Sequence, residues 1–336
     1  MGRNTSRATG LPQLRGQPFV TDGGIETDLI FNRGAELREF AAFPLVEDAA
    51  GTRLLTAYFD EYAAIAADAG AGLLLESPTW RASADWGARL GYSAAGLRRA
   101  NARAIVLLHG LRERYQQQAG HVLISGQVGP RDPGQQRDPA DPDAAAEYHR
   151  PQLEVLAAEG VDLACAMTIS NCAEAVGITR AGHDAGLPVA ISFTVETDGG
   201  LAGGTSLAAA IAAVDVAARP EYFMINCAHP SHIEPALAGA GVAGQPTEPT
   251  EPTTPGVWTD RILGVRYNAS GRSHAELDEA ADLDRGDPDE LAAGHARLAP
   301  LLPRLAVLGG CCGTDATHVR RLWRPGDIKS ATFRRS

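Results

Sequence analysis

Short apolar runs followed by longer amphipathic, alanine-rich segments recur along almost the whole chain, and this alternation restricts the fold more than any other feature. The runs are Phe19-Val20, Gly72 to Glu76, His121 to Gln127, Val161 to Ala166, Pro188 to Val195, Glu221 to Asn226, Arg261 to Arg266 and Arg304 to Leu308. Each has the length of a buried strand. Between them, Arg53 to Asp68, Ala94 to Gln118, Asp143 to Glu159, Ala173 to Ala185 and Ser206 to Ala217 are long enough for crossover helices. Eight such units in 336 residues predict a single-domain (β/α)8 TIM barrel over residues 16–325, although a doubly wound sheet shows the same alternation. At 44% hydrophobic residues the chain can bury a core of that size.

The barrel reading says where to look for chemistry, because sites in this fold sit at the C-terminal ends of the strands. Asp22, Glu76 to Arg81, Gly129-Pro130-Arg131, Cys227 and Cys311-Cys312 all follow or close strands and should converge on one mouth. Two segments read as irregular: 129–142, rich in Pro, Asp and Gln, and 245–256, dominated by Pro, Thr and Glu. The second is expected to be a surface loop away from the mouth, since proline supports neither helix nor central strand. Residues 1–15 are expected to be disordered and 326–336 to form a tail.

Three thiols at two strand ends, Cys227 and the pair Cys311-Cys312, suggest a zinc site with an open fourth position. Gly309, Gly310 and Gly313 surround the pair and permit positive φ or close backbone approach. Free cysteine is also often a small buried hydrophobe, and the motif lacks the spaced pairs of a zinc ribbon. Cys165 and Cys172 read as structural. A net charge of -11 without a basic patch argues against nucleic acid and leaves small molecules as partners. There is no apolar run of membrane-spanning length and no hydrophobic segment behind Met1 to Arg7, so no membrane association and a cytoplasmic location are expected.

The ordered motifs Asp22-Gly23-Gly24, Gly126-Gln127-Val128-Gly129-Pro130, Asn226-Cys227 and Gly309-Gly310-Cys311-Cys312-Gly313-Thr314 resemble the homocysteine S-methyltransferase family over about residues 17–322. The resemblance implies a zinc-dependent barrel that methylates the sulfur of homocysteine, with Cys227, Cys311 and Cys312 as metal ligands. It further implies a methyl donor of the sulfonium type, S-methylmethionine or S-adenosylmethionine, and methionine as product. Asp22, Gly23 and Gly24 would lie near the amino acid part of the acceptor, though an Asp-Gly turn between strand and helix accounts equally for Asp22. Asn226 would orient the metal shell or merely finish the strand, and Thr79 and Asn268 match positions near the substrate.

The chain departs from the family at the end of the fourth strand. There the family carries a Glu-Thr pair whose carboxylate helps bind the homocysteine amino group, and this chain has Met167-Thr168. A thioether cannot pair with an ammonium, so either another acid such as Glu76 replaces it or the acceptor is a different thiol or selenol. Arg81 stands where the family more often has an uncharged or aromatic residue and could hold a carboxylate. A barrel that binds zinc or a thiol without turning over is the remaining alternative.

Overall fold

Eight parallel strands close in sequence order: β1 (Phe19–Val20), β2 (Gly72–Glu76), β3 (Val122–Val128), β4 (Leu163–Ile169), β5 (Val189–Phe193), β6 (Tyr222–Ala228), β7 (Ile262–Tyr267) and β8 (Val307–Gly310). β1 pairs with both β2 and β8, which completes the barrel. The computed structural model describes residues 10–131, 141–238, 258–279 and 282–324. Every expected strand is present, most of them a residue or a few further along the chain. The expected loop at 245–256, the segment 132–140 and the tail at 326–336 lie outside the described residues.

The crossover helices form where alanine-rich amphipathic segments carry a polar cap. Asp48 caps Ala49–Ala69 by accepting from the backbone N–H groups of Ala50 and Gly51, both at 2.8 Å. Ser93, Asp141, Asn171 and Ser206 do the same for Ala94–Ala119, Pro142–Ala158, Cys172–Asp184 and Leu207–Ala217. Their apolar faces pack against the outward residues of the strands in one continuous cluster. Among the described residues, no helix is long and apolar enough to cross a membrane.

The period-2 alternation of the strands decides what fills the barrel. Near the N-terminal end the interior is apolar, with Phe19, Leu74, Leu163, Cys165, Tyr222 and Met224 in one cluster. Two residues further along β2 and β6 the same parity delivers Glu76 and Asn226, so the interior turns polar toward the mouth. One expectation is corrected at the opposite end. Residues 10–15, within the segment expected to be disordered, are ordered: Pro12–Arg15 forms a helical turn, Leu11 joins the interior cluster, and buried Gln13 donates to the Tyr222 hydroxyl at 3.5 Å. Leu11 closes the barrel floor, so its burial outweighs the polar composition around it.

Candidate metal centre and active-site mouth

β8 ends in a tight turn that turns both vicinal cysteines toward β6. Gly310 N–H donates to the Asp22 carbonyl at 2.8 Å, Cys311 N–H to that of Tyr267 at 2.7 Å, and Thr314 N–H closes the turn on the Cys311 carbonyl at 3.1 Å. Gly313 occupies the third position of this turn with φ of 78°, where only glycine is unstrained. Gly309 and Gly310 serve close approach instead: a Cβ on Gly309 would lie 2.7 Å from the Thr21 and Asp22 carbonyl oxygens. On β6, Cys227 has φ of 56°, unusual for a residue with a side chain. Its carbonyl is held there by Asn268 Nδ2 at 3.1 Å and His274 Nε2 at 2.7 Å.

The three sulfurs lie within 4.8 Å of one another, with Cys227 Sγ and Cys312 Sγ 3.4 Å apart. Tetrahedral zinc with bonds of about 2.3 Å sets its sulfurs about 3.8 Å apart, so the cluster fits such an ion with little movement. The thiols share their ionisation. Cys311 is held well below the usual thiol range, chiefly by hydrogen bonding from Cys227 and then Cys312, with Arg266 and Asn226 assisting. Cys227 and Cys312 are pushed well above it, since each hydrogen-bonds a neighbouring sulfur and would place a second negative charge beside the first. A bound divalent cation would let all three become thiolates together.

Beneath the sulfurs lies a charge cluster that the sequence reading did not assemble. Arg266, inward-facing on β7, pairs with Asp22 at 2.6 Å, stands 3.8 Å from Glu76 and donates to the carbonyls of Gly23 and Gly310. Tyr58 donates to the other Asp22 oxygen at 3.0 Å. Burial pushes the Glu76 carboxyl up to about 7 against the pull of Arg266 and of the neighbouring Ser125 hydroxyl.

The family model described as homocysteine S-methyltransferase matches residues 19–324. The chain belongs to the homocysteine S-methyltransferase family. The protein is accordingly a methyltransferase. Among solved structures, the metallated homocysteine methyltransferase MmuM from Escherichia coli aligns with a TM-score of 0.64 at 22% identity, covering 92% of this chain and 96% of that one. Its oxidized form aligns with a TM-score of 0.65 at 23% identity, over 95% and 99%. At these identities the likeness establishes the shared barrel. None of the curated protein sequences compared with the chain matches it.

In this methyltransferase the three cysteines border a cleft at the mouth of the barrel. Of the other expected residues, Gly23, Gly24 and Asn226 line it, as does Met167 at the departure from the family. Asn226 binds both neighbours: Oδ1 accepts from Thr168 N at 2.8 Å and Ser192 Oγ at 2.6 Å, while Nδ2 donates to Thr168 Oγ1 at 2.9 Å and reaches Cys311 Sγ at 3.7 Å. The remaining expected residues lie outside that lining. Asp22 and Glu76 are buried and face Arg266, Glu76 by the inward parity of β2 and Asp22 from the segment just past β1. Thr79 is buried, donating to the Gln127 carbonyl at 2.7 Å, and Asn268 supports Cys227 from behind. Arg81 lies at the rim, stacked 3.9 Å from the Trp86 ring centroid and donating to the Glu39 carbonyl.

Sequence reasoning missed Arg266 and Glu26. The signal for Arg266 was a lone cation in an otherwise apolar strand. Glu26 lies just past the Gly23-Gly24 turn and lines the cavity.

Proposed function

We propose that this enzyme is a zinc-dependent S-methyltransferase that moves a methyl group from S-methylmethionine or S-adenosylmethionine to the sulfur of homocysteine, giving methionine. The observation that carries the reading is the clustering of Cys227, Cys311 and Cys312 within 4.8 Å at the cavity. Zinc bound by these residues would supply the Lewis acidity that keeps an acceptor sulfur as thiolate, since a free thiol with a pKa near 8.5 is mostly protonated at neutral pH.

The protein's own residues support the rest. Asn226 fixes Cys311 against Thr168, so the metal-binding edge is held before any ligand arrives. Arg266 places a buried positive charge beneath Cys311 and favours its thiolate. Phe40 and Trp80 line the cavity with aromatic surface, an environment suited to a sulfonium cation. In the transfer, a sulfur lone pair of the acceptor forms the new S–C bond as the donor's C–S bond breaks and its sulfur becomes a neutral thioether. No general base is required once the acceptor is a thiolate. Met167 favours a second reading, in which the acceptor is another thiol or selenol without an amino acid head.

The test is turnover by the zinc-loaded protein with L-homocysteine and each donor in turn, read as methionine formed. Methionine should appear with wild type and be lost in Cys311→Ser and Cys312→Ser together with bound zinc. Activity surviving in either variant would contradict the proposal, and a preference for thiols lacking the amino acid head would favour the second reading.

A further inference from the structure

We propose that Glu26 binds the ammonium group of the acceptor, supplying from the β1 side of the mouth the carboxylate that Met167 cannot supply from β4. The inference rests on the homocysteine reading above and names the residue that makes it compatible with the departure at β4.

Among the described residues lining the cavity, Glu26 is the one acid. The two acids that sequence position favoured are committed elsewhere, Asp22 in its ion pair with Arg266 and Glu76 in the interior beside the same guanidinium. Glu26 differs from both. It is partly buried, and among the described residues no Arg or His forms an ion pair with it. Burial pushes its carboxyl up to about 7 and the negative charges of Cys311 and Asp22 act in the same direction, against a backbone hydrogen bond and the more distant pull of Arg81. Arg81 is kept from closing on it by its stacking against Trp86 and its bond to the Glu39 carbonyl. A carboxylate at a cavity wall that forms no ion pair within the protein is suited to a cation carried by the ligand.

The position also fits the order of the site. Glu26 follows the Gly23-Gly24 turn, and Gly24 N–H donates to the Thr314 carbonyl of the Cys311–Thr314 turn at 3.1 Å. The carboxylate and the sulfurs are therefore mounted on two hydrogen-bonded turns. An acceptor joined to the metal centre through its sulfur would carry its amino group on a short chain away from Cys311, within the cavity that Cys311 and Glu26 both line. No proton transfer is assigned to Glu26. It is a specificity-determining residue.

The test is calorimetric binding without donor, so that it does not depend on turnover. Zinc-loaded wild type, Glu26→Gln and Glu26→Asp are titrated with L-homocysteine and with 4-mercaptobutyrate, which keeps the thiol and carboxylate but lacks the amine. Wild type should prefer homocysteine. Glu26→Gln should weaken homocysteine by about tenfold to a hundredfold while leaving 4-mercaptobutyrate within about twofold, and Glu26→Asp should fall between. Zinc content and thermal midpoint report whether each variant is folded; if Glu26→Gln is not, the selectivity of Glu26→Asp decides. An unchanged ratio of the two affinities, equal weakening of both ligands, or a wild type with no preference for the amine would overturn the inference. Failure of the proposed function would look different: homocysteine would bind with the predicted dependence on Glu26 and yet accept no methyl group.

Discussion

Arg266 is the residue on which the electrostatics of the mouth turn, because two buried carboxyls and two carbonyls face one guanidinium. Arg266→Met should destabilise the fold by about 3–5 kcal/mol in denaturant unfolding, since it strands Asp22 and Glu76 without a cation. Adding Glu76→Gln to that variant should restore part of the loss; a single variant as stable as wild type would show that the pair is not needed. Glu76 also sets a pH dependence. Its folded pKa, about 7 against an ordinary 4.5, lies above the unfolded one, so the stabilisation is complete below about 4.5 and lost as pH rises through about 7. In metal-free protein, the stability of Glu76→Gln relative to wild type should therefore rise by up to about 3 kcal/mol between pH 4.5 and pH 8, and a constant difference would contradict the assignment. At this scale the sequence disclosed the cysteines, whose side-chain chemistry marks them in any context. Arg266 and Glu26 stayed hidden, because an arginine or glutamate is ordinary until strand parity or a turn places it in the interior or at a cavity wall.

Among the elements, β8 with its turn is the least tolerant of change. Gly309→Ala would press a Cβ against the carbonyl oxygens of Thr21 and Asp22 just past β1, which are backbone atoms and cannot swing aside. It should cost about 1–3 kcal/mol of stability and weaken zinc binding measurably in a competition titration with a chelating dye; wild-type zinc affinity would argue that β1 does not hold the turn. The strands and helices were legible from alternation and length, since eight apolar runs between long amphipathic segments leave few packings. Their ends were not. β8 extends through Gly309 and Gly310, which propensity disfavours in a strand, because a side chain would collide with Thr21 and Asp22 at the first and with Thr314 at the second. β4 runs on to Ile169 through an irregular register and a left-handed Thr168, held by Asn226 from β6, a contact no local pattern announces.

For the whole molecule, the barrel and its metal centre should separate energetically. The sulfurs tie the mouth ends of β6 and β8, while the core is an extensive apolar layer between strands and helices. Chelation should lower the thermal midpoint by roughly 10 °C at metal concentrations well above the dissociation constant, and leave the far-ultraviolet circular dichroism of the folded state unchanged. Loss of that signal on chelation would mean that the metal is needed to fold the barrel. The central claim, that Cys227, Cys311 and Cys312 hold one zinc ion with a place for the acceptor sulfur, is tested most directly by zinc-edge X-ray absorption with and without L-homocysteine. The account predicts three sulfur neighbours and one lighter atom in the free protein, rising to four sulfurs when homocysteine is added. Fewer than three sulfurs in the free protein, or no gain on addition of a homocysteine shown to bind, would contradict it.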